Sequence, residues 1–156
     1  MGAEIHTLHV MLAGVWLGGV VFTTVVVSPA FKAMKWSEAE RVGARSVVGK
    51  HYARVAGVNL ALLLLFATVD GLVRGFGGVF FVEYVLLAVL FGLAGAHGAY
   101  FGRKLAELAG AEREAGSAEE ARSFAEQRRV LGRISLRVSQ LNLLVSVAIM
   151  ALAVNA

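Results

Sequence analysis

The chain predicts an all-α fold, a bundle of four transmembrane helices, and three observations carry that expectation. Hydrophobic residues make up 58% of the 156 and charged residues only 17%, against about a quarter charged in soluble domains. Four apolar stretches, at about 5–27, 52–73, 78–101 and 138–154, each approach the roughly 20 residues a helix needs to cross a bilayer. A single proline among 18 glycines fits long, closely packed helices better than strands.

The first span opens on "MGAEIHT", which carries an acid and no basic residue. A cleaved signal peptide is therefore not expected. Pro29, in "VVVSPAF", is expected to end this helix, because proline disfavours helical backbone at the residue before it. The stretch "SEAERVGARSVVGKHYARV" reads as an interfacial helix that runs into the second span, with Ser37 and Glu40 at capping-box spacing. "RGFGG" is a tight turn between the second and third spans. Helical patterning continues beyond the third span in "GRKLAELAGAEREAGS". It resumes at Ser117 and Glu120, a second S-x-x-E. Extensions of about 15 residues, roughly 20 Å at helical rise, predict a helical hairpin standing out of the membrane.

One integral membrane domain spanning 1–156 accounts for this pattern. Fourteen of the 15 basic residues fall between Lys32 and Arg54 or between Arg103 and Arg137, and the last, Arg74, lies in the "RGFGG" turn. The positive-inside rule makes 28–51 and 102–137 cytoplasmic and puts both termini outside, in a multi-pass protein of the inner (plasma) membrane. The net charge of +4 is then topology and attraction to lipid headgroups, and nucleic acid drops out as a partner. Absent cysteine excludes disulfides, thiolate zinc, cysteine-held iron–sulfur clusters and covalent haem. No P-loop, G-x-G-x-x-G or G-x-S-x-G appears.

Ionisable residues inside spans are functional candidates, and near a span's end they are tolerable anchors. His6 and His9, three apart, share a side of the first helix, with Ala13, Trp16 and Val20 continuing the stripe below His9. Asn59 and Asp70 share a face of the second helix, and Glu83 and His97 line up along the third. Ser139, Asn142 and Ser146 form a polar stripe on the fourth, with Met150 above it. Sorted by depth, His6, His9, Asp70 and Glu83 form an outer group with Met11 and Met150. His51 and His97 form an inner one with Arg54, Asn59 and Asn142. The structural alternatives are headgroup contacts for His6 and His51, pairing of Asp70 or Glu83 with Arg74, and plain packing for the aromatics. Gly14 and Gly18, like Gly92, Gly95 and Gly98, are expected at close helix–helix approaches.

Imidazole suits iron and copper. A b-type haem takes axial ligands from facing helices. His51 and His97 could flank one iron with Arg54 on a propionate, or His9 could be a single ligand. Copper would draw on His6 and His9, with Met11 or Met150, and on Asp70 and Glu83.

"LHVMLAGVWLGGVVFTTVVVSPAF" resembles the first span of the copper-resistance D-like families and of the DUF4149 (transmembrane protein 205-like) group, with a His, W-x-G-G and a proline after the helix. "RISLRVSQLNLLVSVAIMAL" is similar to the last span of DUF4149 members. The resemblance implies a four-helix membrane protein, with copper handling suspected for one relative. A more distant likeness is to the HemJ-type membrane protoporphyrinogen oxidase, a haem-binding four-helix family. It carries His9 over as the first-helix histidine. Where that family has a third-span lysine, this chain offers Glu83 in "FFVEYVLL".

The expected function is thus a membrane protein holding a redox metal cofactor through histidines, haem b first and copper next, for electron transfer or metal handling. If it is an enzyme, it is an oxidoreductase. Its partners would be membrane lipid, and a redox partner or a second copy of the chain. The alternatives are a transporter or proton relay using Asp70, Glu83 and the histidines, and an assembly factor docking through its hairpin.

Overall fold

The computed structural model describes residues 2–36 and 38–155, and its described elements are all helical. They join into four helices: α1 (Gly2–Ala33), α2 (Glu38–Arg74), α3 (Val79–Glu114) and α4 (Ala118–Asn155). Each holds a stretch long and apolar enough to cross a membrane, so the chain is a multi-pass, four-helix membrane protein. The expected cap at Ser37 lies outside the described residues.

Proline does not end α1 where expected. The helix winds as a π-helix over Phe22–Val27, resumes as α over Ser28–Ala33, and stops only where Met34 turns extended (ψ 136°). The π-helical stretch lies just before Pro29, where a regular α-helix would set the carbonyl four residues back against its ring. Pro29 then falls in the first turn of the resumed α-helix, where its missing N–H costs nothing.

The α2–α3 turn is as short as "RGFGG" predicts. Gly75 (φ +96°) and Gly78 (φ +55°) take left-handed backbone, and Gly75 N–H donates to the Gly71 carbonyl at 2.8 Å, closing α2. A Cβ is disfavoured at Gly75 by conformation alone, since a methyl there would meet nothing within 4 Å. Gly75→Ala should therefore lower stability by about 1–2 kcal/mol. Thermal unfolding in detergent, with Gly77→Ala as a control of ordinary backbone and open space, measures this.

The chain forms two compact units. One takes the chain up to Phe91 and again from Leu143; the other is Gly92–Asn142. In the first, each helix buries one stripe: His9, Ala13, Trp16 and Val20 on α1, and Asn59, Leu63, Ala67 and Asp70 on α2. Glu83, Leu87 and Leu90 are buried on α3, and Val145, Ser146, Ile149 and Ala153 on α4. The α1 stripe is the one its three- and four-residue spacing predicts. Opposite faces expose Val15, Leu65, Phe81 and Leu144, the surface a helix offers to lipid. Trp16 Nε1–H donates to Ser146 Oγ at 2.9 Å and Asn59 Nδ2–H to the Leu12 carbonyl at 3.2 Å, tying α1 to α4 and α2. Of the predicted small-residue contacts, Gly14 lies against Met150, whereas Gly18, Gly92, Gly95 and Gly98 face open space. The close approach falls instead at Gly19, against the Tyr52 ring.

The second unit contains the hairpin. Its α3 limb includes a π-helical stretch, Ala96–Phe101, and buries Phe101 and Leu108. At the turn, Ser117 Oγ accepts from Glu120 N–H at 3.2 Å, and Glu120 Oε2 accepts from Gly116 N–H at 3.1 Å. This is the predicted capping exchange, shifted by one residue on the return bond. Arg128 Nε–H donates to Glu112 Oε2 at 2.8 Å and clasps the two limbs.

Candidate metal centre

Local sequence converges three helices on one point. Spacing of three puts His6 and His9 on one side of the first turns of α1. The short α2–α3 turn brings Asp70, near the end of α2, and Glu83, near the start of α3, to either side of His9. His6 Nδ1 lies 2.9 Å from Asp70 Oδ2, and His9 Nδ1 lies 3.4 Å from the same oxygen. The other nitrogen of His9, Nε2, is 2.8 Å from Glu83 Oε1. One turn on from Asp70, Arg74 Nε stands 3.1 Å from Oδ1. His9, Asp70 and Glu83 are fully buried, while His6 and Arg74 keep 22% and 35% of their side chains exposed at the rim.

The arrangement is electrostatically demanding. Two carboxylates buried together repel strongly at low dielectric, and here an imidazole separates them while a guanidinium borders one. Neutral imidazole carries a single N–H, so it can donate to one carboxylate only. The contact on the other nitrogen therefore needs a further proton or a cation.

Three of these groups lie close enough together to form a metal site. One ligand atom each from His6, His9 and Asp70 lie within 4.8 Å of one another. Nitrogen and oxygen ligands sit about 2.1 Å from a first-row divalent ion, which puts neighbouring ligands about 3.0 Å apart at a right angle and about 3.4 Å apart at the tetrahedral angle. The two contacts to Asp70 Oδ2, 2.9 and 3.4 Å, match those separations, and they are also hydrogen-bond distances.

Of the residues singled out from sequence, the structure brings together His6, His9, Asp70 and Glu83. Met11 is 60% exposed, two residues on from His9 and so on the opposite face of α1. Met150 lies against Gly14, deeper in the same unit. His51 and Arg54 are exposed on α2. His97 is exposed in the π-helical stretch of the other unit, its ring centroid 6.4 Å from that of Phe101. Arg74, read from sequence as a topological charge or ion-pair partner, belongs to the cluster, and its four-residue spacing from Asp70 is the signal that marks it. His9 is engaged on both nitrogens, so to ligate any metal, a haem iron included, it must exchange its contact with Asp70 or with Glu83 for the metal bond.

Residues 11–114 match the family described as Domain of unknown function (DUF4149), a range that includes Asp70 and Glu83 and begins just after His9. No curated protein matches the chain. Nor does any solved structure. On the strength of that match, which takes in most of α1, all of α2 and all of α3, the chain belongs to the DUF4149 family.

Proposed function

We propose that this protein binds a divalent transition-metal ion through His6, His9 and Asp70, at the membrane face that bears its termini, and serves metal handling. The observation that carries the reading is the set of three ligand atoms within 4.8 Å of one another on two helices. Two nitrogens and one oxygen suit borderline ions such as copper(II) or zinc, whereas copper(I) prefers sulfur, and Met11 is turned away. Three protein ligands leave a position for water or a delivered ligand, as exchange requires. For this cluster copper(II) therefore takes precedence over haem b, and His51, Arg54 and His97 play no part in it. By the distribution of basic residues the face is the outer one, in the inner (plasma) membrane.

One observation favours a second reading. The contacts from His6 to Asp70 to His9 to Glu83, at 2.9, 3.4 and 2.8 Å, form an unbroken chain along which protons could pass.

Chelator-stripped protein in detergent, titrated with copper(II), separates the two. The metal reading expects one ion per chain and an electron paramagnetic resonance spectrum with two nitrogen donors, falling to one in His6→Ala. Protein that takes up no copper or zinc but carries protons in liposomes would overturn it in favour of the relay.

A further inference from the structure

We infer that Glu83 is the positioning residue of this centre, holding the Nε2–H of His9 so that Nδ1 is presented to the ion. The inference rests on the metal reading above and replaces the ligand role that sequence assigned to Glu83. Geometry separates the two roles. Asp70 and His6 face the Nδ1 side of the His9 ring, at 3.4 Å and, for His6, through the shared Asp70 oxygen. Glu83 Oε1 lies 2.8 Å beyond Nε2, on the far side of the same ring. No single ion can be reached by both groups while the ring stands between them.

The surroundings of Glu83 leave it one task. It sits in an otherwise apolar stripe of α3 with Phe80, Leu87 and Leu90, and it is fully buried. Its second oxygen, Oε2, is buried and takes no hydrogen bond among the described residues. A carboxylate so placed is costly, and His9 is the partner that compensates it. A neutral ring that donates from Nε2 has its lone pair on Nδ1, facing Asp70 Oδ2. Carboxylate–histidine–metal triads work this way, fixing both the tautomer and the ring's orientation. Arg74 Nε stands 3.1 Å from Asp70 Oδ1, an ion-pair contact without hydrogen-bond geometry, while Oδ2 faces the two histidines.

The test uses full-length protein with nitrogen-15 histidine, loaded with zinc. There are only four histidines to assign. Wild type should show His9 coordinated through Nδ1 and protonated on Nε2. Glu83→Gln, which keeps the size and an acceptor oxygen, should retain that assignment with zinc affinity about 10-fold lower. Glu83→Leu, with no acceptor, should lose about 100-fold and scramble the His9 assignment. Should the leucine variant fail to fold, the glutamine variant and the wild-type assignment decide. Zinc bound through His9 Nε2, or affinity unchanged on losing the carboxylate, would overturn the role given to Glu83 alone. No zinc on wild type would overturn the metal reading itself, a different and separately visible result.

Discussion

Replacing His9 by leucine should destabilise the fold by about 3–5 kcal/mol, the range seen when a buried charge is left without its compensating partner. The cost is not spread evenly. Asp70 keeps contacts with His6 and Arg74, whereas Glu83 loses the partner that compensates it, with its other oxygen already unbonded. A buried carboxylate is then left in an apolar stripe. The second variant, His9→Leu with Glu83→Leu, should recover most of the loss, because removing both members of a buried polar pair is often neutral or better. Unfolding of both single variants and the double variant in detergent gives the coupling energy directly. A double variant no more stable than His9→Leu would show that His9 acts through something other than Glu83.

Asp70→Asn should abolish high-affinity metal binding. Asp70 is the one negatively charged group of the three proposed ligands, and both histidines contact its Oδ2. Asparagine keeps the shape but removes the charge, leaving a divalent ion beside the Arg74 guanidinium with only neutral donors. We expect a loss of at least ~100-fold, equivalent to about 2.7 kcal/mol. Zinc titration of the stripped variant beside wild type measures it. Binding within a few-fold of wild type would place the ion elsewhere.

The fold was legible because span length and helical period are coarse properties that local sequence controls. The stripe from His9 through Ala13 and Trp16 to Val20 is buried as its spacing requires, and Asp70 shares the buried face with Asn59, three turns away. The outer cluster was legible for the same reason: depth follows from residue number once spans are placed. Depth is silent on facing. Met11 matches His9 in depth and lies on the other side of the helix, which the period of α1 alone can reveal. His51 and His97 were likewise paired by depth. Both are exposed, and a π-helical stretch carries the second. The π turns before Pro29 leave no mark in residue type, and so α1 runs on to Ala33, past the end that the proline predicts. Which nitrogen of His9 meets which carboxylate depends on side-chain placement from three helices, and no spacing within one helix encodes it.

Beneath the cluster the core is mostly hydrocarbon: Leu63, Ala67, Leu87 and Leu90 are wholly inaccessible and Ile149 is 1% exposed, with Asn59 and the Trp16–Ser146 hydrogen bond as its polar exceptions. Such a layer is an electrical insulator. A membrane voltage drops mainly across the low-dielectric part of its path, and each charge moved through the full field is worth about 2.3 kcal/mol per 100 mV. The cluster lies on one side of that layer, joined to water through the partly exposed His6 and Arg74. A cation seated there crosses almost none of the voltage. On the metal reading, occupancy would follow the ion activity of the solution at that face and depend little on whether the membrane is energised.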